Sequence, residues 1–126
     1  MSENQTPYEQ LGGEVAVQKL VDRFYDLMDE KKEVGILRKM HAKSLRVSRE
    51  KLFLFLSGWL GGPQLYVEKY GHPMLRRRHL PFAIGELEKD QWMLCMNQAL
   101  DEQTEEPLRK QLSEALASVA NHMKNQ

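Results

Sequence analysis

Apolar residues recur at steps of three and four along most of the chain, the spacing that gathers side chains on one face of an α-helix. Val17, Leu20, Val21, Phe24, Leu27 and Met28 do so first. They predict an amphipathic helix from 14 to about 30, with Tyr25 beside its apolar stripe. The polar KKEVG that follows ends in Gly35, a stop or turn signal. The next stretch, ILRKMHAKSLRV, carries His41 without a clear period. From Ser48, read as an N-cap, Leu52, Phe55, Leu56 and Trp59 share a helical face until Gly61, Gly62 and Pro63 end it. Residues 65 to 70 suit one brief turn of helix. Pro73, at home in the first helical position because it has no N–H to satisfy, opens a short helix to about 80, before Pro81. A helix from about 86 to 103 follows, with Leu87, Trp92, Cys95, Met96, Ala99 and Leu100 inward. Thr104, Glu105, Glu106 and Pro107 then start a last helix, facing inward through Leu108, Leu112, Ala115, Leu116, Val119 and Met123. No alternating strand pattern competes, so the fold class is all-α.

Length and charge narrow the picture. The 126 residues fit one domain, 1–126, which buries roughly two thirds of its unfolded surface. Its 41% hydrophobic content can supply that interior. Eighteen basic and eighteen acidic side chains cancel, so the chain has no long-range attraction for nucleic acid or an anionic membrane. Any electrostatic function must be local. A single cysteine, Cys95, leaves no intramolecular disulfide framework and suits a reducing compartment. The opening MSENQTPYEQLGGE holds no apolar signal-peptide core, and no stretch approaches the length of a membrane span. A soluble, cytoplasmic protein with no membrane partner is expected.

The chemistry concentrates in YGHPMLRRRHLPFAI, residues 70–84. On a helix, His79 shares a face with Leu75 and points inward. A lone histidine there is ordinarily a satisfied core or surface residue. Imidazole is also the commonest ligand for transition metals, but zinc wants three or four ligands at recognisable spacing. His41, His72, His79 and His122 offer no such pairing, and Cys95 has no partner cysteine. One protein ligand suffices when the cofactor brings the other donors, as haem does with its four nitrogens. Haem also has an apolar body and two carboxylates, which Arg76, Arg77 and Arg78 can meet by paired hydrogen bonds. Three adjacent arginines point in three directions, so at least one is merely solvated, and an exposed pair contributes only about 0 to 1 kcal/mol. Tyr25 and Trp92 are ordinarily core anchors with a satisfied polar tip. As donors to a charged acceptor they would each contribute roughly 1.5 to 3 kcal/mol, tenfold or more in residence time.

These residues resemble the truncated haemoglobins, specifically group II, the O-type branch. The match lies in FY at 24 and 25, LGGP at 60–63 with Tyr66 beyond, GHPMLRRRHLPF at 71–82 and DQWMLCM at 90–96. It covers nearly the whole chain. The resemblance implies haem b, iron protoporphyrin, with His79 as the proximal iron ligand. Tyr25 and Trp92 would lie on the distal side as donors. Arg78, Tyr66 and Lys51 match positions near the haem propionates. Ser48 and Leu52 fall on the distal helix, where the family varies. Phe55 and Phe82, with Leu75, would line the slot, and His72 would be at most a rim residue. The chain is slightly longer than the family between Tyr25 and Ser48, around His41. His41 would be a third distal polar group or a sixth iron ligand, a place Tyr25 could also take, or simply bond a loop carbonyl.

The implied fold is a shortened globin in which two pairs of antiparallel helices stack around one haem. The implied function is reversible binding of dioxygen and other diatomic ligands such as nitric oxide and carbon monoxide. A haem enzyme that oxidises nitric oxide or reduces peroxide or nitrite would use the same residues, with electrons from a separate reductase. A helical nucleic-acid binder built on Arg76, Arg77 and Arg78 is disfavoured by the neutral charge and the apolar residues threaded through that run. A monomer or weak homodimer is expected.

Overall fold

The computed structural model describes residues 5–126; the first four, which open the stretch read for a signal peptide, lie outside the described residues. The longest helices are those with the strongest apolar stripes: α2 (Gly13–Glu30), α4 (Arg46–Trp59), α7 (Glu86–Gln103) and α8 (Leu108–His122). Short helices α1 (Pro7–Leu11), α3 (Gly35–Lys39), α5 (Leu65–Tyr70) and α6 (Leu75–His79) link them, with one 3-10 turn at Lys32–Val34. Helix α2 packs against both α4 and α7, and α7 packs against α8. The pairs α2/α4 and α7/α8 are the two layers of the expected all-α sandwich.

One core runs through both pairs. From α2 come Val17, Leu20, Val21, Phe24, Leu27 and Met28, all nearly inaccessible, and from α7 Cys95, Met96, Ala99 and Leu100. Leu56, Leu112 and Leu116 close it. Each such aliphatic side chain contributes roughly 1.5 to 3 kcal/mol of transfer free energy. The α2 stripe and the span of α7 are where the periodicity put them.

Several helix boundaries differ from the expectation, each for a local reason. Gly35 is no stop: its φ of −57° and ψ of −36° are right-handed helical, and it opens α3 because Val34 and Leu37 on either side are buried. Ser48 is not an N-cap. Helix α4 begins two residues earlier, anchored by buried Leu45, whose carbonyl accepts the Arg49 N–H at 2.9 Å. Pro73 is not the first residue of α6; Met74 intervenes in the left-handed region at φ 46°. Thr104 closes α7 instead of opening α8, its hydroxyl donating to the Leu100 carbonyl at 2.8 Å. Leu87, at 50% exposure, lies one turn before the buried stripe of α7 begins at Gln91, and Ala115 faces solvent.

Helix α1 was not anticipated, although TPYE has the S/T-x-x-E form of a capping box. The Thr6 hydroxyl accepts the Glu9 N–H at 3.2 Å and the Glu9 carboxylate accepts the Thr6 N–H at 3.0 Å. Tyr8 then lies against Gly62, where an added Cβ would fall 2.6 Å from the ring. The glycine after α4 is there to admit that ring.

Candidate functional site

A cavity of about 580 Å³ lies among α3, α4, α5, α6, α7 and α8, with Tyr25 of α2 in its lining. Every residue singled out for the site lines it except His72, Arg76 and Arg77. His72 is exposed on the turn between α5 and α6, outside the lining. Its carbonyl lies 3.5 Å from an Arg78 guanidinium nitrogen.

On α6, the Nδ1 of His79 sits 2.7 Å from the Leu75 carbonyl, one helical turn back. A carbonyl can only accept, so Nδ1 carries the proton, and in the neutral ring Nε2 keeps its lone pair. His41, just past α3, repeats the arrangement with its Nδ1 2.9 Å from the Leu37 carbonyl. Burial pushes the His41 pKa below the ordinary histidine value, and the charges of Arg38 and His79 act the same way against the opposing Leu37 bond. His41 therefore bonds a carbonyl of helix α3, not the loop carbonyl considered for it, and still presents a neutral ring to the cavity. Among the described residues, no group of three or more His, Cys, Asp or Glu is placed to hold a metal ion alone.

Tyr25 is only 6% exposed, yet neither its hydroxyl nor the Trp92 indole N–H has a hydrogen-bond partner among the described residues. Both side chains line the cavity. Burial raises the Tyr25 pKa beyond any ordinary pH, against the opposing pull of Arg49, so the phenol remains a donor. The two rings are fixed from behind. Phe24 meets Trp92 at 4.9 Å between centroids and Tyr25 edge-on at 4.8 Å. The Arg49 guanidinium lies 5.9 Å from the Tyr25 ring centroid, tied to Asp22 at 3.2 Å and Asp26 at 2.8 Å. Tyr25 and His41 lie edge-on at 6.1 Å. Ser48 and Leu52 extend this wall along α4.

At the mouth, two cations have no carboxylate partner among the described residues. Arg78 lies over the Tyr66 ring at 5.6 Å and Lys51 over the Tyr70 ring at 5.5 Å, inside the range of a cation–π contact. Arg76 is differently employed: it donates to the His122 carbonyl at 3.1 Å and the Lys124 carbonyl at 2.7 Å. The three arginines are thus not one basic surface. Phe55, Leu75 and Phe82 supply apolar lining, and Phe82 is still 44% exposed.

Sequence reasoning missed two contributors. Gln91 is buried and accepts the Leu37 N–H at 2.9 Å, pinning α3 and hence the start of the His41 loop; a polar residue one turn before Cys95 on an inward face was the available signal. The other is the far wall, where Val119, Ala120 and Met123 of α8 and its end reach the cavity. Val119 and Met123 were assigned to core packing alone.

The model of the bacterial-like globin family matches residues 6–125. A group 2 truncated hemoglobin of Bacillus subtilis (strain 168) is 41% identical over 121 residues, covering 95% of this chain and 89% of that protein. Among solved structures, the cold-adapted truncated hemoglobin of the Antarctic marine bacterium Pseudoalteromonas haloplanktis TAC125 is similar at TM-score 0.95 and 49% identity. That match covers 97% of this chain and 99% of that one. The truncated oxygen-avid haemoglobin of Bacillus subtilis is similar at TM-score 0.89 and 39% identity, covering 96% and 100% respectively.

Proposed function

The chain belongs to the bacterial-like globin family as a group II truncated haemoglobin, and from that premise we propose that it binds dioxygen reversibly at a haem held by His79. The observation that carries this reading is the His79 imidazole, whose Nδ1 is committed to Leu75 and whose Nε2 is free on a ring lining an apolar cavity. Haem, when bound, supplies the iron at which a diatomic ligand is held.

The residues present fit that group. A mostly apolar cavity suits the porphyrin body, and Arg78 and Lys51 suit its two carboxylates, with Tyr66 carrying the Arg78 guanidinium. Leu75, Phe55 and Phe82 exclude water around the ring. The single cysteine, Cys95, is buried in α7 and cannot form the C-x-x-C-H of covalent attachment, which favours haem b. On the ligand side, Tyr25 and Trp92 orient two neutral donors toward the space a diatomic molecule would fill. They favour a ligand whose outer atom carries negative charge, dioxygen above carbon monoxide. That matches the oxygen avidity of the similar Bacillus subtilis protein. His41, Ser48 and Leu52 complete the wall, His41 as a neutral third polar group.

The unit acting this way is the whole chain as one domain, in the cytoplasm, as a monomer or weak homodimer. In support, a single core joins both helix layers, no helix among the described residues can cross a membrane, and the lone thiol suits a reducing compartment. Purified protein should be red with one haem per chain and show distinct ferric, ferrous and gas-bound absorption spectra. A colourless chain that takes up no added haem would refute the proposal.

A further inference from the structure

The weakest-built part of the site is the part that carries His79. Helix α6 has five residues and no buried side chain, and a helix that short does not hold itself. It has few close backbone contacts with any other helix. Its long-range hydrogen bonds, and those of the loop behind it, go to one place, residues 122–126 at and beyond the end of α8. Arg76 donates to the carbonyls of His122 and Lys124. The Asn125 side-chain amide donates to the Phe82 carbonyl at 2.8 Å and to the carbonyl of His79 itself at 3.4 Å. Its oxygen accepts the Ile84 N–H at 2.9 Å, and its backbone N–H donates to the Ile84 carbonyl at 2.8 Å. The Lys124 ammonium bonds Glu86 at 2.9 Å and closes the strap from the α7 side.

We propose that Asn125 is a positioning residue for His79: residues 123–126 form a strap whose amide fixes the carbonyls at 79 and 82, and so the height and tilt of the imidazole over the cavity. This rests on the haem reading above. It does not require Asn125 to touch the cofactor.

The test uses the haem-loaded full chain. Asn125→Asp keeps the acceptor for Ile84 but sets a carboxylate against two carbonyl oxygens, whereas Asn125→Ala removes both functions. Both should shift or broaden the iron–histidine stretching band in the ferrous resonance Raman spectrum. Both should also speed haem loss to an acceptor protein several-fold to about tenfold, the effect of one or two hydrogen bonds. Gln103→Ala, which removes a bond from α7 to the Ala16 carbonyl far from α6, should leave the band in place. A wild-type band unmoved in both Asn125 variants overturns the strap, as does an Asn125→Asp protein that behaves as wild type, since only packing would then matter. A wild-type chain without a histidine band overturns the haem reading, and the strap's role with it.

Discussion

Replacing Tyr25 by Phe should move one measurement and leave another in place. The hydroxyl has no partner among the described residues, and no buried side-chain polar atom there lacks one, so the group must reach the cavity. Removing it breaks no bond within the protein. The ring, with its contacts to Phe24, His41 and Arg49, stays. The haem-free chain should therefore change in unfolding free energy by less than about 1 kcal/mol. Ligand retention should fall. A hydrogen bond to a charged acceptor is worth roughly 1.5 to 3 kcal/mol, so oxygen release should accelerate about 10 to 150-fold at about 1.4 kcal/mol per decade. Stopped-flow displacement of oxygen by carbon monoxide reads the rate, and urea unfolding reads the stability. An unchanged release rate, or a loss of more than about 2 kcal/mol in unfolding, would refute the reasoning, because the hydroxyl would then be holding protein and not ligand.

His79→Ala should speed haem loss by more than about 100-fold, since removing even the partners of metal ligands costs about 10 to 100-fold; external imidazole should restore the axial band. Gln91→Leu leaves the Leu37 N–H buried without its acceptor and should cost about 1 to 3 kcal/mol, read as a melting temperature several degrees lower. His41 is held neutral by burial, so the unfolded chain binds a proton there before the folded one does. Stability of the haem-free protein should fall as pH drops below the ordinary value of 6.5 toward the lower folded value. His41→Gln should remove that part of the slope in denaturation series between about pH 7.5 and pH 5, and an undiminished slope would put the proton elsewhere.

The parts of the fold that were legible are those where one face decides everything. Helix α2 carries a stripe with no competing signal, and α7 keeps its predicted span. Boundaries failed where burial outweighed punctuation. Gly35 is a turn signal only until Val34 and Leu37 are pulled into the core around it, and Ser48 yields its capping role because Leu45 anchors the chain earlier. Thr104 could satisfy either neighbouring helix, and the bond to Leu100 decided it. For the site, single residues carried chemistry that the sequence exposes, such as an imidazole between prolines or a tryptophan on the next helix. The strap was illegible for a physical reason: Asn125 acts on backbone carbonyls more than forty residues away, and carbonyls leave no mark on residue type.

The two sides of the cavity are built to different standards, and the difference follows from what each must do. Tyr25 and Trp92 sit on eighteen-residue helices whose opposite faces are core, which holds both groups in the orientation that a directional hydrogen bond to a ligand would need. On the haem reading proposed above, His79 would bond a guest that brings its own large apolar surface, so its support would not need to be complete in advance. Around it, Met74, Leu80 and Phe82 are 51%, 54% and 44% exposed, apolar area of the kind that marks an interaction site. A haem that covered Phe82 would also complete the packing of the segment proposed to ligate it. On that reading haem would stabilise the ordered form of residues 71–85 by mass action, and the proposed strap would hold His79 ready for the first contact.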